Sequence, residues 1–174
     1  MIVRNPLTVI DIGTTKVICM HVQPDESALG FSVLGYGFHG CGGLARGAVV
    51  DIDETVRVIR QAVQDVEAQS GQKIRDVIVG ISGHHVSTMP SNGIVGIRNR
   101  EVTQVDVERV IEAAKAIALP DNQTVLHVLP QEFIVDDQAG VVKPIGMSGV
   151  RLESRVQMVM AGSSALQNII KCVE

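Results

Sequence analysis

The chain has 174 residues, 45% of them hydrophobic and 20% charged, an ordinary globular composition with enough apolar side chain for a packed core. Its formal net charge of −4 and pI of about 5.7 argue against a nucleic-acid surface, which normally needs a basic stripe. Aromatic residues make up only 2%, so the core is expected to be aliphatic, and the abundant Val and Ile favour strands.

Val9–Gly13 and Val17–Val22 read as two strands joined by the short turn Thr14-Thr15-Lys16, a connection that favours an antiparallel hairpin. Pro24–Ser27 reads as a second turn and Phe31–Gly37 as a third strand. Gly37–Gly47 holds five glycines and has the composition of a loop. A helix follows, capped by Asp51 or Asp53, with Val56, Ile59, Val63 and Val66 on one stripe and Gly71 as its stop. Val77–Ile81 is short, apolar and β-branched, as a buried strand would be. At Gly83 the character changes, because His84, His85, Pro90, Ser91 and Asn92 break the pattern; a domain boundary is placed there, with a further strand over Ile94–Ile97.

Thr103 opens a second helix. Its hydroxyl can accept from the third backbone N–H, and Asp106 suits the positive helix end. Val107, Val110, Ile111, Ala114 and Ile117 form its apolar face, and Pro120 ends it. Val125–Leu129 and Phe133–Val135 read as strand pieces around Pro130, Gly140–Gly149 as a loop and Val156–Met160 as a strand. Ser163 or Ser164 caps a last helix with Leu166, Ile169, Ile170 and Val173 on one face. No stop signal precedes Glu174, which fits a truncated polypeptide as well as a protein ending on a short helix. Cys19, Cys41 and Cys172 are odd in number and not spaced as metal ligands, so each reads as a small buried hydrophobe in a reducing compartment. Met1–Pro6 has no signal-peptide core and no run approaches the roughly 20 apolar residues of a membrane span, so the chain reads as soluble.

The stretch richest in chemistry is Asp11–Lys16. A phosphate needs close backbone N–H donors, which Gly13 permits; hydroxyl donors, which Thr14 and Thr15 supply; and a counter-charge, which Lys16 supplies. Asp11 would repel a phosphate directly and makes sense only through a hydrated Mg²⁺ ion. The alternative is a plain hairpin with a solvated Lys16. Three other patterns compete for notice. Gly35–Gly40 matches G-x-G-x-x-G literally, but no helix starts inside it. Gly80–Gly83 and Gly146–Gly149 are each one residue short of a nucleophile elbow and read as turns. His84 and His85 are adjacent, so on a strand they would point to opposite faces and could not easily share a metal.

Val9–Lys16 resembles the first phosphate loop of the actin superfamily, which includes actins, sugar kinases and heat-shock chaperones. Leu126–Phe133, Asp136 and Pro144–Glu153 are similar to signature stretches of the FtsA family, the actin-like proteins of bacterial cell division. So are Arg46–Ile52, Val102–Gln104 with Asp106, and Asn168–Glu174, so the resemblance runs the whole length. It implies an α/β fold: an incomplete actin-like (ribonuclease-H-like) subdomain with an inserted small α+β strand-helix-strand-strand subdomain. Residues 1–83 would be the first actin-like subdomain, 84–159 the inserted interaction subdomain and 160–174 the return into the first.

The resemblance also implies ATP with Mg²⁺. Gly13, Thr14, Thr15 and Lys16 would take the phosphates, and Asp11 would reach the metal through water. The family's second phosphate loop, adenosine segment, FtsZ-binding lobe and membrane-anchoring amphipathic helix are expected beyond Glu174. This chain would then hold half of the ATP site, no catalytic residue of its own, and apolar surface where the second lobe packs. The whole protein is expected to be at most a weak ATPase. It would use ATP as a structural switch and link the FtsZ ring to the cytoplasmic face of the inner membrane. Expected partners are FtsZ, later divisome proteins including the cytoplasmic tail of FtsN, and further copies of itself, but no nucleic acid. The alternatives are a PilM-like scaffold of pilus assembly, which shares the architecture, and a small-molecule kinase, against which the Pro130–Phe133 stretch argues.

Overall fold

The computed structural model describes residues 5–24 and 30–174. They form a mixed α/β chain in two compact units, residues 1–85 with 164–174, and residues 86–163. In the first unit, β1 (Leu7–Ile12) and β2 (Lys16–Pro24) make the expected antiparallel hairpin, and β3 (Phe31–Gly40) adds to β2. The turn expected over Pro24–Ser27 lies outside the described residues apart from Pro24, which ends β2. A two-stranded ribbon follows, β4 (Leu44–Ala45) and β5 (Ala48–Val49), and then helix α1 (Ile52–Ser70). The strand β6 (Ile78–Ile81) pairs in parallel with β1, giving the sheet order β3-β2-β1-β6.

Helix α1 begins and ends as its sequence dictates. Asp51 caps it by accepting from the Glu54 N–H, and Gly71 stops it in the left-handed conformation. The stripe it buries is Thr55, Val58, Ile59, Ala62 and Val66. Val56 and Val63, expected on that stripe, are half-buried at its margin. The stripe is turned because α1 lies directly on β3. A Cβ at Gly35 would stand 2.7 Å from the Val66 carbonyl oxygen, and one at Gly37 would overlap the Ala62 carbonyl. Gly37–Gly40 is therefore strand, not the start of a loop. Gly35 and Gly37 serve close backbone approach rather than turning.

Alternation along β1 and β2 sends Ile10, Ile12, Val17 and Cys19 under α1, where they are buried with Cys41, Ile169 and Cys172. Burial pushes the Cys19 thiol up to about 11, so it is inert at neutral pH. The buried His21 shares this side; its Nε2 pairs with Gln72 Oε1, which leaves Nδ1 to accept from the Thr8 hydroxyl. The opposite face of the sheet carries Leu7, Val9, Phe31, Val33, Tyr36, Phe38 and Ile78, all exposed. Register aligns these apolar side chains on one side: Tyr36 stands beside Met20, Met20 beside Val9, and Val9 beside Ile78. For this reason β6 is half-exposed, where its sequence predicts a buried strand.

The second unit is one antiparallel sheet of order β7-β10-β8-β9, built from β7 (Val86–Gly96), β8 (Gln123–Val135), β9 (Gln138–Val141) and β10 (Arg151–Gly162). Helix α2 (Gln104–Lys115) packs on β7 and β10. A last helix, α3 (Ser163–Val173), leads back to the first unit and buries Ile169 and Cys172; Leu166, Ile170 and Val173 are only half-buried. No helix among the described residues is long and apolar enough to cross a membrane.

Four sequence readings change here. The unit runs strand-helix-strand-strand-strand rather than strand-helix-strand-strand, because Gln138–Val141 folds back on β8 as a short edge strand. Residues 86–93 are strand despite Pro90, because β7 is an edge strand where a missing N–H costs no ladder bond. The two pieces around Pro130 are one strand, β8, whose register slips between Pro130 and Glu132 against β10. Helix α2 stops at Lys115, five residues before Pro120, because the Ala116 N–H turns back to the Ala113 carbonyl. Its start is as expected: Thr103 and Asp106 form a reciprocal capping box. Like α1, α2 lies on a glycine, since a Cβ at Gly93 would overlap the Val110 carbonyl oxygen. The buried Ser91 hydroxyl then donates to the Ala114 carbonyl at the helix end. Asp136 sits at the turn between β8 and β9 with φ +53°, and its Oδ1 accepts from the Val150 and Arg151 N–H groups. Those two donors hold its carboxyl below the usual range.

Gly37→Ala should destabilise the protein by about 2 kcal/mol or more, read as a shifted midpoint in chemical denaturation, because neither backbone can move away cheaply. The lowered Asp136 pKa means its carboxylate stabilises the fold above the unfolded aspartate pKa, and that this contribution is lost as pH falls through the folded value. Thermal melts from about pH 6 to about pH 2 should therefore show Asp136→Asn converging on the wild type at low pH. Asp136→Ala, which loses the acceptor and strains φ, should stay below both at every pH.

Candidate functional site

The hairpin between β1 and β2 is closed by the Gly13 N–H donating to the Lys16 carbonyl at 2.9 Å. That tight turn leaves Thr14, Thr15 and Lys16 exposed at its tip and Gly13 half-buried beneath them. A Cβ at Gly13 would crowd the Lys16 oxygen at 3.2 Å. Lys16 starts β2 on the uncovered side of the sheet, with its Nζ 5.8 Å from the centre of the Phe38 ring. Asp11 shares that side. It pairs with Ile18 on β2 and with Gly80 on β6, where an added Cβ would stand 3.2 Å from its Oδ1. Asp11, Gly13, Thr14, Thr15 and Lys16 are thus gathered at one end of one sheet, exposed except for Gly13.

Three segments distant in sequence brace this tip. The Gly47 N–H donates to Thr14 Oγ1 at 3.0 Å, and the Cys41 N–H to the Thr15 carbonyl at 3.0 Å. Gly47, at φ +80°, belongs to the turn between β4 and β5, and a Cβ there would overlap the Ser82 carbonyl. In return, a Cβ at Gly83 would stand 2.6 Å from the Arg46 carbonyl oxygen, which also pairs with His84 Nδ1 at 3.1 Å. These segments meet because β1 and β6 run in parallel and finish level, Ile12 beside Ile81. Gly13 and Ser82 therefore leave the sheet side by side, at the carboxyl ends where open α/β sheets bind ligands. Cys41, Gly47, Ser82 and His84 join the tip without any sequence motif that assigns them there. Only the clustering of glycines between residues 40 and 47 hinted at a segment built for close approach.

The donor set fits a polyphosphate carrying a hydrated cation: a tight glycine turn, two exposed hydroxyls, one ammonium and a single carboxylate set apart from them. Among the described residues no three His, Cys, Asp or Glu side chains are placed to hold a metal by themselves. The rings of His84 and His85 are 6.0 Å apart and lie in a turn, not on a strand. Burial, with His84 adding to it, holds His85 below the ordinary histidine range. Gly35–Gly40 runs within β3 and opens no helix, so it is no dinucleotide fingerprint. The turn here is Pro144–Met147, closed by the Met147 N–H donating to the Pro144 carbonyl, and Ser148 lies in an isolated bridge with Glu101, so Gly146–Gly149 is neither a turn of its own nor a nucleophile elbow.

Residues 83–160 match the family model of the SHS2 domain inserted in FtsA. The cell division protein FtsA of Neisseria meningitidis serogroup B is 45% identical over 170 residues, 97% of this chain and 40% of that protein. FtsA of Pseudomonas aeruginosa is 45% identical over 166 residues, 94% of the chain and 39% of that protein. FtsA of Escherichia coli K12 is 35% identical over 173 residues, 98% and 40% respectively. The chain thus spans about two fifths of the length of these relatives. Among solved structures, a chain of the PilM-PilN type IV pilus biogenesis complex superposes with a TM-score of 0.61. It covers 98% of this chain and 44% of that one at 14% identity, a likeness of fold. The division-protein relatives match nearly end to end, and the inserted domain coincides closely with the second compact unit, so this chain belongs to the FtsA family.

Proposed function

We propose that the chain is part of an ATP-binding, actin-like scaffold of bacterial cell division. In this reading the first unit is the start of an actin-like subdomain, and residues 11–16 form the first of its two phosphate loops. Gly13 gives the phosphates access to the backbone, Thr14 and Thr15 donate their hydroxyl protons, and Lys16 supplies the charge. Mg²⁺ held through water by Asp11 neutralises phosphate charge when bound. The observation that carries the reading is the exposed pair Thr14 and Thr15 at the tip of a tight, braced hairpin, in a chain that belongs to the FtsA family. The exposed apolar side of the first sheet supports it, because it leaves a surface against which further protein could pack.

The inserted unit serves as an interaction subdomain, for neighbouring copies and for later divisome proteins such as the FtsN tail. The whole protein links the FtsZ ring to the cytoplasmic face of the inner membrane. ATP acts as a switch, favouring whichever conformation binds it better. The likeness of fold to the PilM-PilN complex keeps a pilus-assembly scaffold as the second reading.

Calorimetry of Mg-ATP on the full-length natural protein tests the site. Asp11→Ala and Lys16→Ala should each weaken binding about tenfold or more, with melting temperatures near that of the wild type. Unchanged affinity in both variants sinks the phosphate-loop assignment. Co-sedimentation with FtsZ separates the division reading from the pilus one.

A further inference from the structure

Resting on the phosphate-loop reading, we propose that Gly47 is a positioning residue of the nucleotide site, one that fixes the direction of the Thr14 hydroxyl proton. A threonine hydroxyl has one proton to donate and lone pairs with which to accept. In this protein the Gly47 N–H already donates to Thr14 Oγ1 at 3.0 Å. With that acceptor site filled from the side of the β4–β5 turn, the hydroxyl proton swings to the exposed side of the hairpin tip. That is the side on which a phosphate oxygen would sit. The hydroxyl is thus committed as a donor before any ligand arrives, so less orientational freedom is lost on binding.

The turn can hold Thr14 because it is itself held. Gly47 is buried at φ +80°, a conformation that disfavours any side chain, and the Ser82 carbonyl occupies the space a Cβ would need. Gly83 presses back on the Arg46 carbonyl, and His84 Nδ1 pairs with the same oxygen at 3.1 Å. The Arg46 carbonyl accepts, so Nδ1 carries the proton in that pair. Residues 82–84 at the end of β6 therefore clamp the turn, the turn orients Thr14, and Thr14 faces the ligand. Chain order hides this arrangement, since Thr14 and Gly47 are 33 residues apart.

The test uses the full-length natural protein, Mg-ATP calorimetry and hydrogen exchange at the Gly47 amide. In the wild type that amide should exchange slowly and slow further with Mg-ATP, because a hydroxyl that donates to phosphate becomes a better acceptor. Thr14→Ser should keep both the protection and an affinity within about threefold of wild type, whereas Thr14→Val should lose both. Gly47→Ala should weaken Mg-ATP binding by about tenfold or more. If it does not fold, His84→Ala decides instead: it touches no phosphate, yet by loosening the clamp it should raise Kd by about threefold or more and speed Gly47 exchange. Wild-type affinity in His84→Ala, or a Gly47 amide indifferent to Mg-ATP, overturns the positioning role while the phosphate loop stands. A wild type that fails to bind Mg-ATP overturns both.

Discussion

Helix α1 rests on β3 at a separation that only glycine allows. With any side chain at Gly35 or Gly37, the helix carbonyls of Val66 and Ala62 would have to lift away. The second unit repeats the solution, with Gly93 of β7 beneath the Val110 carbonyl of α2. Much of the arrangement depends on these contacts. Close seating of α1 turns its stripe so that Val58, Ala62 and Val66 meet the β1–β2 side chains, and a core almost without aromatic side chains fills without large rings. It also commits one side of the first sheet to the helices and leaves the other side bare.

What the sequence made legible was local. The β1–β2 hairpin, the Asp51 cap, the Gly71 stop and the Thr103–Asp106 box each depend on residues within a few positions of one another. What it concealed depended on neighbours far along the chain. Glycine and proline read locally as chain breakers, yet Gly37 lies in a strand, where a helix crosses it, and Pro90 in another, at the sheet edge. Pro130 continues β8 because β10 tolerates a slip in register. The stripe on α1 was misplaced by a fraction of a turn for the same reason: periodicity finds an amphipathic helix but not the surface on which it lands.

The candidate site divides in the same way. Residues 11–16 announce their chemistry within six positions, whereas the groups that brace them come from residues 41, 47 and 82–84. Apart from His84, whose ring pairs with the Arg46 carbonyl, those groups act through backbone N–H and carbonyl groups that every residue type carries, so the contacts leave little trace in the sequence. Only the parallel pairing of β1 with β6 brings the ends of the two segments level. The hairpin tip is therefore exposed to solvent and still stiff, a combination that a lone two-stranded hairpin does not reach.

The bare side of the first sheet has an optical consequence. The chain has one tyrosine and no tryptophan, and that tyrosine, Tyr36, stands on this face at 44% exposure beside Met20 and Phe38. Ultraviolet emission excited through the phenol ring thus originates at a single point, on the exposed apolar side of the first sheet. The molecule carries its own label there. A change in its emission registers whether that surface is wet or covered, without any dye or engineered probe.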